Sequence, residues 1–193
     1  LFMDFHLQKD APVYVAGHKG LIGSAFIRFF KKNGYKNIVT QDKHELDLTC
    51  KEDTVNFFRE NQPEVVILAA GKVGGIIQNR DYPADFIFEN LSIQLNVLSA
   101  AHECHVKQLI FFASSCMYPK DTHQPMKENQ LYTGHLEQTS IAYASAKYAG
   151  VQMCKSINEQ NGFVTFIPVI SIPAEDGIHN FVVTSSHVLP ALI

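Results

Sequence analysis

The sequence predicts an α/β fold, a parallel sheet wound on both sides by helices, and three observations carry that reading. Short apolar runs at Val13–Ala16, Asn37–Gln41, Val65–Ala70 and Gln108–Ser114 read as strands, most of them buried. Helical patterns separate these runs, so that strand and helix alternate as they do in parallel sheets. The first run ends in a glycine-rich turn, VYVAGHKGLIGSA over 13–25, that opens directly into an amphipathic helix.

In that turn Gly17, Gly20 and Gly23 each have a steric reason. A side chain at Gly17 crowds the tight turn, one at Gly20 holds a phosphate away from the backbone N–H groups, and one at Gly23 pushes the helix off the sheet. The unpaired N–H groups and dipole of the helix N-terminus then favour a pyrophosphate. The helix shows Leu21, Ile22, Ala25 and Phe26 as its apolar side and stops at Gly34. Residues just past the second strand meet the adenosine ribose in such folds, where an acid favours NAD and a base favours the 2′-phosphate of NADP. Here the signals are mixed. Asp42 suits a ribose hydroxyl, whereas Lys43 and Lys19 suit a phosphate or are simply solvated surface charges. Asp47, Leu48 and Thr49 follow, placed near the adenine ring by the same fold logic.

Lys51–Asn61 predicts a helix that buries Val55, Phe57 and Phe58 and ends before Pro63. The third strand leads through Ala69 and Ala70 into Gly71, Gly74 and Gly75, a small-residue loop at the carboxyl end of a strand, where ligands lie in open α/β sheets. Asp85–Glu103 reads as a long helix, and the fourth strand runs out into Ser114-Ser115-Cys116. A polar loop over Pro119–Thr139 is long for a compact domain and is therefore suspected of function. It delivers the chain to a helix over Ile141–Asn161, on which Tyr143 and Lys147, spaced i, i+4, share one face.

Composition narrows the classes. The 193 residues suit one domain of roughly 100–200 residues, or one and the start of a second: a nucleotide-binding unit over 11–170 and a substrate-binding region begun over 171–193. With 46% hydrophobic residues, 18% charged residues and no apolar run approaching ~18 residues, no membrane span is expected. A net charge of -3 without a basic run offers nothing to a nucleic acid polymer, so any nucleotide bound is small. Cys50, Cys104, Cys116 and Cys154 form no C-x-x-C pair and no signal segment is visible, which points to the cytoplasm. His102, Cys104 and His105 lie close in sequence but lack an evident third and fourth ligand, so no metal is expected.

The chemistry centres on Tyr143. A phenol with a pKa near 10 exchanges protons poorly at neutral pH, and a nearby lysine cation is expected to lower it by about one to three units. Tyr143 then serves as proton donor, while Ser114 or Ser115 hydrogen-bonds a substrate carbonyl that a nicotinamide reduces. Cys116, taken on its own, reads rather as a buried inert thiol.

The tracts AGHKGLIG, LAAGKVGG, ASSCMYPK and YASAKYAG, in this order, resemble the extended short-chain dehydrogenase/reductases, and among them the GDP-L-fucose synthase family. The resemblance implies a Rossmann-type domain that binds NADP(H) and a GDP-sugar substrate, and a homodimer is an expected assembly. It implies 3,5-epimerisation of GDP-4-keto-6-deoxy-D-mannose followed by reduction of its 4-keto group. Ser114, Tyr143 and Lys147 are implied as the reduction triad, with Cys116 and His187 as the acid/base pair of the epimerisation. The glycine turn from Gly17 through Lys19, Gly20, Leu21 and Ile22 to Gly23 is implied in cofactor binding. So are Lys43, Asp47 and Leu48 at the adenosine end, Ala69 and Ala70 after the third strand, and Tyr143 with Lys147 at the nicotinamide end. Two departures stand against full activity: Pro168-Val169-Ile170 replaces the family's Pro-Thr-Asn, and the sequence stops at Ile193, immediately before the basic residues and most of the carboxyl-terminal domain that hold the GDP-sugar in the family. The expectation is therefore of a truncated substrate region and impaired turnover. Alternatives are a cofactor-binding module without turnover, or another nucleotide-sugar epimerase or dehydratase.

Overall fold

A computed structural model of the chain describes residues 7–161, 164–166 and 169–170. His187 and the region 171–193 lie outside the described residues. The elements in order are β1 (Val13–Ala16), α1 (Leu21–Lys32), β2 (Ile38–Val39), α2 (Lys51–Asn61), β3 (Val65–Leu68), α3 (Ile76–Asp81), α4 (Pro83–Glu103), β4 (Gln108–Phe111), β5 (Ala113–Ser114), α5 (Ile141–Asn161), β6 (Val164–Phe166) and β7 (Val169–Ile170). Five strands form one sheet in the order β2-β1-β3-β4-β6, every pair parallel.

Alternation along each strand sends side chains to two cores. Val13, Val15, Val65, Ile67 and Ile110 point to the face covered by α1, where Phe30 is fully buried. Tyr14, Ala16, Val66, Leu68, Leu109 and Phe111 point to the face covered by α2, α4 and α5. Burying each such aliphatic side chain is worth about 1.5–3 kcal/mol, so both faces must be covered, and the sheet is doubly wound as expected.

Several expectations shift in detail. Strand β2 is two residues long because it is an edge strand paired only at Val13↔Ile38 and Tyr14↔Val39. Ala25 is exposed, and α1 packs instead through Ile22, Phe26, Ile27 and Phe30. The run Val65–Ala70 leaves the strand after Leu68, although the Ala69 N–H still donates to the Ala16 carbonyl at 3.0 Å. The fourth run divides at Phe112: Gln108–Phe111 stays in the main sheet, while Ala113–Ser114 pairs with Val169–Ile170 in a separate two-stranded sheet. Helix α3 was not visible in the sequence.

Candidate active site

The strand order reverses between β1 and β3, and the loops leaving their carboxyl ends form the crevice where open α/β sheets bind ligands. Gly17 stands at this point with φ +78. A Cβ there would lie 2.7 Å from the Ala70 nitrogen and 2.8 Å from the Ala69 carbonyl oxygen, so the first turn and the β3 loop touch through a glycine. A Cβ on Gly23 would lie 2.2 Å from the Gly17 carbonyl oxygen. Its constraint is thus the approach of helix to turn, not the helix-to-sheet contact expected from the sequence. Gly20, by contrast, has only the Gly17 carbonyl oxygen within reach, at 3.3 Å, which leaves the space in front of the turn open. No side chain caps α1 and no acid sits in its first turn, so its N-terminal field is left for an anion.

At the adenosine end both expected lysines are paired with carboxylates. Lys19 Nζ lies 2.6 Å from Asp42 Oδ2, with His18 Nε2 at 3.5 Å from Asp42 Oδ1, and Lys43 Nζ lies 2.8 Å from Glu89 Oε1. The Lys19 hydrogen bond holds the Asp42 carboxyl below its ordinary range. Asp47 is turned into its own loop, where Oδ1 accepts from the Thr49 N–H at 2.9 Å and its hydroxyl at 2.8 Å; these bonds lower its pKa. Leu48 is buried in the core, and its carbonyl accepts from Asn96 Nδ2 at 2.9 Å.

Helix α4 also shapes the β3 loop. Asn90, buried, donates to the Lys72 and Phe86 carbonyls at 2.9 and 2.7 Å and accepts from the Lys72 N–H at 3.1 Å. A Cβ on Gly71 would lie 2.8 Å from Asn90 Oδ1, which gives that glycine its reason.

The groups expected to handle protons meet at the other end of the crevice. Ser114 ends β5 and begins a short 3-10 turn over Ser115–Met117, its Oγ accepting from the Cys116 N–H at 3.3 Å. Ser114 lies close enough to the Tyr143 hydroxyl to pull its pKa down, and half-buried Cys116 is close enough to act on it electrostatically in the other direction. Lys147 is 7% exposed, with its amine 4.8 Å from the Phe111 ring centroid and 5.8 Å from that of Tyr143. Close packing of α5 makes this possible: a Cβ on Gly150 would lie 2.3 Å from Phe111 Cζ, and Gln94 Nε2 donates to the Ala146 carbonyl at 2.7 Å. The long loop is tied to the same helix, since the Tyr132 N–H donates to the Tyr148 hydroxyl at 3.2 Å and Gln152 Nε2 donates to the Tyr132 hydroxyl at 2.6 Å.

The electrostatics correct one expectation. Burial pushes Tyr143 up to about 12, against the lowering pull of Ser114, and burial pulls Lys147 down to about 8. The phenol is therefore not brought toward neutrality: desolvation, with Cys116 adding to it, keeps Tyr143 protonated, which is the form that donates.

Glu89, Asn90, Gln94, Tyr148 and Gly150 escaped the sequence reading. A polar residue inside an amphipathic helix carries no mark of the loop it holds, and only the asparagines and glutamine standing on an otherwise apolar face of α4 hinted at buried partners.

Comparison with known proteins agrees with this geometry. GDP-L-fucose synthase 1 of Arabidopsis thaliana is 46% identical over 187 residues, covering 96% of the chain, and the Escherichia coli GDP-L-fucose synthase is 42% identical over 183 residues, covering 94%. A GDP-D-glycero-L-gluco-heptose synthase from Campylobacter jejuni, solved in the presence of NADPH, superposes with a TM-score of 0.91 at 39% identity over 97% of the chain. A GDP-L-fucose synthetase from Naegleria fowleri bound to NADP gives 0.83 at 29% identity over 96%. The chain spans 57%, 56%, 55% and 57% of these four proteins, about half their length. No described helix is long and apolar enough to cross a membrane. The match of residues 13–193 to one family profile takes in both the glycine turn at the switch point and the Ser114–Tyr143–Lys147 group, and on it the chain belongs to the NAD dependent epimerase/dehydratase family.

Proposed function

We propose that the chain binds NADP(H) in the β1/β3 crevice and acts in the conversion of GDP-4-keto-6-deoxy-D-mannose to GDP-L-fucose. The observation that carries this reading is the grouping of Ser114, Cys116 and Tyr143, with the buried Lys147 amine 5.8 Å from the Tyr143 ring centroid. The residues present suit a dinucleotide. Glycines clear the turn where a Cβ would intrude, α1 offers its uncapped N-terminus to the pyrophosphate, Ala69 and Ala70 leave room beside it, and Lys19 and Lys43 stand at the ribose end. When bound, the nicotinamide supplies a hydride to the 4-keto carbon.

The chain's own groups handle the protons. Ser114 orients the keto oxygen and the Tyr143 hydroxyl together. As the carbonyl is reduced its oxygen becomes far more basic than a phenolate, so a phenol held near 12 gives up its proton then and not before. The Lys147 cation steadies the phenolate left behind. Epimerisation needs a base on one face of the sugar ring and an acid on the other; Cys116, beside Tyr143, is assigned to one face and His187 to the other. The unit over 11–170 is assigned to the cofactor and 171–193 to the substrate. A cytoplasmic location and a homodimer belong to the same reading.

The test is a titration of the 193-residue chain with NADPH, followed by the keto-sugar nucleotide. Tyr143→Phe should retain NADPH and lose about 10²- to 10⁴-fold in reduction. A Phe variant as fast as the parent would place the proton donor elsewhere. NADPH binding without any turnover in either protein would leave the chain a cofactor-binding module.

A further inference from the structure

We infer that Glu89 on α4 is a specificity-determining residue, an internal competitor that occupies Lys43 in place of a cofactor 2′-phosphate; the inference rests on the NADP(H) reading above. Lys43 follows β2, where parallel sheets of this kind meet the adenosine ribose, and it is the cation assigned to that phosphate. Its amine is not waiting in solvent. It lies 2.8 Å from Glu89 Oε1, and the other Glu89 oxygen lies 3.5 Å from Lys72 Nζ, in the loop after β3. One carboxylate thus bridges the loops after β2 and β3, which flank the adenosine end of the crevice.

The bridge is positioned to exchange. Glu89 and Lys72 side chains are part-exposed while Lys43 is mostly exposed, so water and an incoming anion reach the pair. The hydrogen bond that Lys43 donates to Glu89 raises the pKa of its amine and keeps it cationic. Lys72 gives the released carboxylate a second cation, so Glu89 is not left unpaired when a dianionic phosphate takes Lys43. Asn90, next in sequence, fixes the Lys72 backbone and keeps that second partner in place. A cofactor lacking the 2′-phosphate has nothing to exchange at Lys43 and leaves the bridge closed.

The experiment is calorimetric titration of the parent, Glu89→Gln and Asp85→Asn with NADPH, NADH, 2′,5′-ADP and 5′-ADP, at low and high salt. Asp85 contacts Lys72 but not Lys43, so Asp85→Asn makes the same charge change one helical turn away. Glu89→Gln should tighten NADPH and 2′,5′-ADP by about two- to fivefold, the range of an exposed ion pair, and leave NADH and 5′-ADP unchanged. The gain should shrink at high salt, and Asp85→Asn should leave the NADPH to NADH ratio where it was. An unchanged ratio in Glu89→Gln, an equal gain in Asp85→Asn, or weaker NADPH binding in Glu89→Gln would each overturn the proposal while leaving the cofactor reading intact. Failure of all three proteins to bind NADPH and 2′,5′-ADP would overturn the cofactor reading and the proposal together.

Discussion

Lys147→Met should stabilise the folded chain while removing the cation proposed to steady the Tyr143 phenolate. The lysine is 7% exposed, and burial pulls its amine from an ordinary 10.5 to about 8. At about 1.36 kcal/mol per pH unit, that difference costs about 3 kcal/mol at neutral pH, where the cation must be carried into the fold. Its ring contacts with Phe111 and Tyr143 return about 1–2 kcal/mol, which methionine forgoes while filling a similar volume. The net gain is about 1–2 kcal/mol, or roughly 4 °C in Tm for a domain of this size. The pH dependence has a definite sign. Between about 8 and 10.5 the unfolded chain holds the lysine proton and the folded chain has released it, so the parent gains stability as pH rises through this window. The advantage of the variant should therefore narrow by roughly 1 kcal/mol between neutral pH and pH ~9. Urea unfolding followed by circular dichroism at both pH values measures this. A variant less stable than the parent at neutral pH, or an advantage flat in pH, would refute the reasoning.

Three further outcomes follow from the geometry. Gly23→Ala places a Cβ 2.2 Å from the Gly17 carbonyl oxygen, so α1 must shift; a loss of about 1–3 kcal/mol in unfolding and of NADPH binding by titration is expected. Asn90→Ala removes three hydrogen bonds from a buried site and strands the Lys72 backbone groups, which should cost about 2–4 kcal/mol in denaturant unfolding. NADPH should bind more tightly than NADH through charge-assisted bonds to two lysines, and the double change Lys19→Ala with Lys43→Ala should erase that preference; equal affinities in the parent would rule the idea out.

Much of this fold is written in local patterns. The bounds of α2 and α5 follow from helix formers between a proline or loop and an apolar period, and tertiary contacts agree with them. Strand ends were harder to place, because they depend on pairing: β2 is short for want of a second neighbour, and β4 gives way to β5 where β7 takes over. The Tyr143 and Lys147 pairing was legible because one helix carries both at i, i+4. Their protonation was not, since desolvation where α5 packs against Phe111 and α4 has no signature in a spacing. Ion pairs between distant segments, Lys43 with Glu89 above all, are set by where α4 meets the loops after β2 and β3 and were equally out of reach.

The most direct test is a single turnover with the chain in excess over GDP-4-keto-6-deoxy-D-mannose and NADPH absorbance followed to completion. The proposed reaction requires slow oxidation of one NADPH for each keto-sugar consumed, GDP-L-fucose as product, and no oxidation in Tyr143→Phe despite bound NADPH. NADPH that binds the parent and stays unoxidised, or equal oxidation in the Phe variant, would contradict it.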